Sequence, residues 1–140
     1  MAVSIMKKLL WLCVGFCPAV VMAQTYPSKP IRVVIGFTAG SNSDSLARPL
    51  ARKLSEAIGQ QVIIDNRPGA SGNIAMELVA RAAPDGYTLL MCSQGPIVIL
   101  PHLQKNVPYD TLRDFAAVSL ISASTYVLVS HPNVPFKTIK

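Results

Sequence analysis

Apolar and polar positions alternate between two periods along the chain. Ile31–Phe37 (IRVVIGF) is a β-branched run that suits a strand covered on both faces, and Ser45–Ile58 then carries Leu46, Ala47, Leu50, Leu54, Ala57 and Ile58 at helical spacing. The pattern predicts a strand followed by a helix that starts near Ser43–Ser45, capped by Asn42 or Ser43. Pro49 removes one backbone bond and predicts a bend, and Gly59 is the natural stop. The order then repeats. Gln61–Asp65 (QVIID) reads as a second strand, Asn66–Gly72 (NRPGASG) as a loop, and Asn73–Ala83 as a helix with Ile74, Leu78, Val79 and Ala82 on one face. Pro84–Tyr87 (PDGY) is a tight turn into a third buried strand, Thr88–Ser93. Three strands joined by two helices predict an α/β fold with a parallel sheet, flanking helices and right-handed crossovers.

Open sheets of this kind bind ligands beyond the carboxyl ends of their strands, where the strand-to-helix loops gather. Three loops should meet there: Phe37–Asp44 after strand one, Asn66–Gly72 after strand two and Ser93–Pro96 after strand three, all rich in glycine or small polar residues. The candidate ligand-binding residues are Phe37, Thr38, Gly40, Ser41, Asn42, Ser43 and Asp44 from the first loop, with Ser93 and Gln94 from the third. Hydroxyls and unpaired N–H groups at a helix N-terminus favour an anion. The same residues also have a purely structural reading. Asn42 or Ser43 as an ordinary cap and Asp44 as a first-turn charge would stabilise the helix by about 1 kcal/mol. Asp44 has the wrong sign to grip an anion, so in a carboxylate site it would orient loop amides, hold a water or meet a ligand's ammonium group.

The N-terminus changes what the composition means. Lys7 and Lys8 precede an apolar run of 13 residues, Leu9–Val21, that ends in Val21-Met22-Ala23, the pattern of a cleaved secretory signal peptide over residues 1–23. The run is short for a membrane span and is broken by Pro18. Without that segment 11 Lys and Arg face 7 Asp and Glu, and the formal charge falls from +6 to +4. The remaining cations are scattered and not interleaved with aromatics, so no nucleic-acid partner is expected. Cys13 and Cys17 leave with the segment, and Cys92 alone can form neither an internal disulfide nor a cysteine metal site. The 51% of apolar residues against 14% charged ones still indicate a globular domain.

Other chemistry is poorly supported. GASGN (Gly69–Asn73) lacks the Gly-Lys-Ser/Thr of a phosphate loop and the spacing of a dinucleotide fingerprint. His102 and His131 each sit beside a proline, without metal-ligand spacing, so no metal or cofactor is expected. Ser41, Ser43 and Ser45 lack a nucleophile elbow, and Cys92 reads as a small apolar residue in a strand. A secreted α/β enzyme acting on a small organic acid is the competing function. It would need an acid–base pair near the three loops, where only Asp44 and Asp65 stand.

Three stretches together, YPSKPIRVVIGFTAG, NRPGASGNIAMELVARAAPDGYTLLM and PHLQKNVPYDTLRDFAAVSLI, strongly resemble the Bug-type periplasmic solute receptors of tripartite tricarboxylate transporters. The resemblance runs from about Tyr26 to Lys140 and includes Asn66-Arg67-Pro68-Gly69, Pro84-Asp85-Gly86-Tyr87, Pro108-Tyr109-Asp110 and Asp114-Phe115. It implies a type II periplasmic binding protein: two α/β lobes closing over a small carboxylated ligand, without catalysis, acting as a monomer that serves membrane transporter subunits. In that family the first loop usually reads Phe-Pro-Pro-Gly-Gly-Gly-Thr-Asp. Phe37, Gly40 and Asp44 match and Ser43 replaces the threonine, while Thr38 and Ala39 stand at the prolines and Ser41 and Asn42 at two glycines. In the third loop Ser93 and Gly95 fit the family's Gly-Thr-Ser-Gly, and Cys92 and Gln94 depart from it. Family members are much longer, so the expectation is a truncated, marginally stable portion. Its first-lobe region would be 24–107, and 108–140 would be the crossover and the beginning of a second lobe.

Overall fold

The computed structural model describes residues 25–131 and 133–135, so the proposed signal peptide lies outside the described residues. Three strands form one parallel sheet: β1 (Ile31–Ile35), β2 (Val62–Asn66) and β3 (Thr88–Met91), in the order β2-β1-β3. The registers run from Ile31 opposite Val62 to Ile35 opposite Asn66, and from Arg32 opposite Thr88 to Ile35 opposite Met91. With β1 in the centre, the chain leaves it first to one side and then to the other, so the strand order reverses beside β1. That is where an open sheet offers a crevice.

Strand alternation places Ile31, Val33 and Ile35 on one face of β1 and Arg32 and Val34 on the other. Helix α1 (Asn42–Ile58) covers the first face, with Ala47 and Ala51 buried there among Ile31, Ile35, Val62 and Met91, and Leu54 and Ile58 packed alongside. The second helix, α2 (Asn73–Ala80), packs on β1 and β3, and its Ala75 and Met76 are fully buried, as is Val34. The expected elements are therefore present, with shorter ends. β1 stops at Ile35 rather than Phe37, β3 at Met91 rather than Ser93 and α2 at Ala80 rather than Ala83, while β2 is displaced one residue towards Asn66.

The expected cap of α1 needs correction. Its N-cap is Ser41, not Asn42 or Ser43: Ser41 is extended at φ −66°, ψ 166°, and its hydroxyl accepts from the Asp44 amide. The Ser41 amide is held by the Thr38 carbonyl and the Gly40 amide by the Asp44 carboxylate, which fixes Ser41 as the last extended residue before the first turn. The helix also runs on through Pro49, which is exposed on its outer side. Gly59 ends it in the left-handed region as expected, its amide bonding the Ser55 carbonyl.

After β3 the chain winds into a π-helical turn, Gly95–Ile99, continued by the short helix α3 (Leu100–Leu103). At the amino edge of the sheet the YPSKP segment is latched to the PDGY turn. Tyr26 donates to the Gly86 carbonyl at 2.8 Å, the Ser28 amide donates to the Tyr87 hydroxyl at 2.8 Å, and Lys29 lies 3.2 Å from Asp85. Residues 116–131 follow without helix or strand and are exposed throughout.

Candidate functional site: the carboxyl-edge rim

Asp44 organises the first loop. Its side chain is nearly enclosed, at 2% exposure, and accepts from three donors. One oxygen accepts from the Gly40 amide at 2.9 Å and from Arg48 Nε at 2.8 Å, and the other from Asn66 Nδ2 at 3.1 Å. Asn66 also donates to the Phe37 carbonyl at 3.1 Å. These bonds tie the exit of β1, the first turn of α1 and the end of β2 into one unit. The Arg48 hydrogen bond, aided by the Gly40 amide and Asn66 and opposed by burial, lowers the Asp44 carboxyl to about 2. It is a fixed negative charge with both oxygens engaged by donors, so its main part is to shape the loop.

The remaining first-loop residues lie around that hub. Phe37 is half-buried against the Ile35–Ala47–Met91 cluster, while Thr38, Gly40 and Asn42 are exposed and Ser43 is half-buried. The Ser41 amide bonds the Thr38 carbonyl and the Ser45 amide bonds the Ser41 carbonyl. With the Asp44 amide on the Ser41 hydroxyl, the amides of Asn42 and Ser43 are the first-turn donors of α1 that helix geometry leaves without an internal acceptor.

The second and third loops come to the same edge through two glycines. A Cβ on Gly36 would fall 2.9 Å from Gly72 Cα, so the first and second loops touch backbone to backbone. Gly72 caps α2 at φ +97°, and a Cβ there would lie 3.2 Å from Pro96 Cγ, which brings in the third loop. Ala70 and Ser71 adopt the left-handed conformation as well, at φ 46° and 56°. Consecutive left-handed residues other than glycine are uncommon and cost free energy, so the surrounding structure must hold this loop in place. No side chain caps α2, and its N-terminus faces the same rim as that of α1. The third loop exposes Ser93 and Gln94, and the Gln94 amide donates to the Tyr126 hydroxyl.

The sequence-predicted site residues are therefore brought to one edge, with Asp44 in a supporting position beneath the rim. Asn66, Arg48, Asn73 and Tyr109 were missed as parts of its scaffold. Arg48 was legible, lying four residues after Asp44 on one helix face. Asn66, Asn73 and Tyr109 act across 22 to 36 residues of sequence, and no local pattern carries that information. Cys92 is half-buried, and burial pushes its thiol above its ordinary value, as suits a packing residue. Among the described residues no group of three or more His, Cys, Asp or Glu could hold a metal ion. A groove of about 440 Å³ lies between α1 and the outer edge of β2, lined by Arg48, Ala51, Ser55 and Val62, away from the glycine contacts that define the rim.

A parallel α/β sheet whose helix N-termini and small-residue loops converge at the strand-order reversal is the arrangement in which open α/β domains take small ligands. Comparison with known proteins agrees and is more specific. Residues 46–140 match the tripartite tricarboxylate transporter family receptor profile, and the chain belongs to that family. It is 50% identical over 97 residues to a UPF0065 protein of Bordetella bronchiseptica, covering 69% of this chain and 29% of that one. It is 38% identical over 122 residues to BugT of Bordetella pertussis, covering 86% of this chain and 37% of BugT. Among solved structures, the periplasmic binding protein BugD superposes with a TM-score of 0.59 at 36% identity over 64% of this chain and 30% of BugD. Two proteins of Rhodopseudomonas palustris behave similarly. One solved with adipate has a TM-score of 0.60 at 39% identity, over 62% of this chain and 29% of its own. MatC with bound malate has a TM-score of 0.62 at 33% identity, over 64% and 31%. The chain spans from 29% to 37% of the length of these curated relatives. The family and its structural neighbours are substrate-binding receptors, not enzymes, and the expected type II architecture holds for the part of the fold present.

Proposed function

We propose that the rim receives one carboxylate of a small dicarboxylic acid, and that the chain carries the first-lobe half of a solute receptor serving a tripartite transporter. The convergence of the α1 and α2 N-termini beside Gly36 and Gly72 is the observation that supports this most directly. Two helix dipoles and the Asn42 and Ser43 amides favour a negative group there. The exposed hydroxyls of Thr38 and Ser93 and the Gln94 amide add hydrogen-bonding capacity around it. Structural neighbours solved with bound malate and with adipate fit a site of that chemistry. Asp44 supports it by holding the Gly40 amide and the loop in place. Residues 24–107 would form the first-lobe region and 108–140 lead into a second lobe. The receptor would act as a monomer in the periplasm, with its signal peptide cut between Ala23 and Gln24. Intact mass of the periplasmic species reads the cut directly, and a full-length product retained at the membrane would refute it.

The binding claim is tested by calorimetric titration of the chain with malate, adipate and their dimethyl esters well below its unfolding temperature. Heat with the acids and none with the esters is the expected outcome. Equal heats would show that carboxylate charge is not what the rim reads, and no heat with either acid would remove the proposed function.

A further inference from the structure

The Pro108-Tyr109-Asp110 segment has no part in the rim itself, yet it is among the best-anchored features of the molecule. Tyr109 is 8% exposed, and its hydroxyl lies 2.9 Å from Asn73 Oδ1 and 2.5 Å from the Pro96 carbonyl. Two residues on, Thr111 Oγ1 donates to the Ile97 carbonyl at 3.0 Å. The reason lies in the helical stretch after the third loop. The Leu100 amide bonds Gly95 five residues back, so the turn is in the π register, and the Gln104 amide bonds Leu100 four residues back, so α3 has returned to the α register. Pro101 sits at the change and has no N–H. In the π register its amide would have served the Pro96 carbonyl, and in the α register that of Ile97. Tyr109 and Thr111 donate to those two carbonyls. Asp110 and Asp114 fold the carrier segment: Asp110 Oδ1 accepts from the Leu112 and Arg113 amides at 3.0 Å, and the Asp110 amide donates to Asp114 at 2.8 Å. Phe115 packs edge-on against the Tyr109 ring at 5.9 Å.

We infer that Tyr109, with Thr111, is a positioning residue for ligand binding: by replacing the amide that Pro101 lacks and joining Pro96 to Asn73, it sets the third rim loop against the N-terminus of α2. This rests on the rim being the carboxylate site. Pro96 is the residue that touches Gly72, and Ser93 and Gln94 lie immediately before it, so a shift at Pro96 moves rim donors against each other. A misplaced donor loses binding even when the fold survives.

The test compares the full chain with Tyr109→Phe, Thr111→Val, and Tyr109→Phe combined with Pro101→Ala, which returns a backbone donor to the turn. In ligand-free protein the amide resonances of Gly72, Ser93, Gln94 and Gly95 should move in Tyr109→Phe, those of Gly40–Ser43 should not, and the added Pro101→Ala should bring the first set back towards wild type. Malate affinity should fall about 3- to 10-fold and recover with the same second change. A role in stability alone predicts a lower melting temperature with the Ser93–Gly95 amides unmoved, and that result overturns the inference. The shifts are read without ligand, so a wild-type chain that binds no malate would refute the proposed function while the positioning claim is still decided. Should Tyr109→Phe not fold, Thr111→Val and the rescued double variant carry the same comparison.

Discussion

At the scale of single residues, the fate of Asp44 follows from counting its donors. A carboxylate enclosed to this degree is tolerated only when ion-paired and hydrogen-bonded, and Arg48, Gly40 and Asn66 supply both. Its folded-state value of about 2 lies below the ordinary value of 3.8. The ionised form therefore stabilises the fold fully above about pH 5, and that contribution fades as pH falls through about 4 towards about 2. Asp44→Asn removes the charge at every pH. Urea unfolding should thus show wild type well above the variant at neutral pH, with the gap closing as pH approaches 2. Asp65, Asp85 and Asp114 are also held low, and they cancel in that difference. A gap that stays constant across the acid range would mean that shape, not ionisation, makes Asp44 matter. The sequence showed an aspartate in the first turn; it could not show Asn66 arriving from the next strand to complete the cradle.

At the scale of elements, the alternation of β-branched runs with helical spacing was enough to place β1, α1, β2, α2 and β3, because burial on both sheet faces leaves a periodic signal. Boundaries were less legible, since they depend on caps that compete over two or three residues. Ser41, Asn42 and Ser43 are all competent caps by composition, and the loop geometry set by Asp44 and Gly40 selects Ser41. Ser41→Ala should accordingly cost about 1 kcal/mol in chemical denaturation. Ser43→Ala should leave stability unchanged and weaken dicarboxylate binding by about 5- to 30-fold, the loss of one hydroxyl donor. The opposite assignment of the two effects would return Ser43 to the cap and remove its side chain from the rim. The π turn and α3 left no readable signal. Pro96 and Pro101 interrupt GPIVILPHL as helix breakers do, and the donors that compensate for Pro101 arrive from Tyr109 and Thr111.

At the scale of the whole molecule, the family motifs turn out to be contacts between distant segments. YPSKP meets PDGY at the amino edge, Asn66 meets Asp44, and Tyr109 meets Asn73 and Pro96. Their joint occurrence carried the resemblance because the fold needs both halves of each pair. What remains exposed is equally informative. β2 and β3 are both sheet edges, and Val118, Leu120, Tyr126, Val127, Leu128 and Val129 are largely open to solvent in a stretch without a single charge. Exposed apolar surface of that kind promotes association, which favours low protein concentration in any binding experiment. Under those conditions amide shift mapping in isotope-labelled protein reads the site residue by residue. Malate should move the resonances of Asn42, Ser43, Ser93 and Gly95 together and saturably, with dimethyl malate leaving them in place. Saturable shifts confined to the groove between α1 and β2, at Ala51, Ser55 and Val62, with the rim amides unmoved, would contradict a carboxylate site at the carboxyl edge of the sheet.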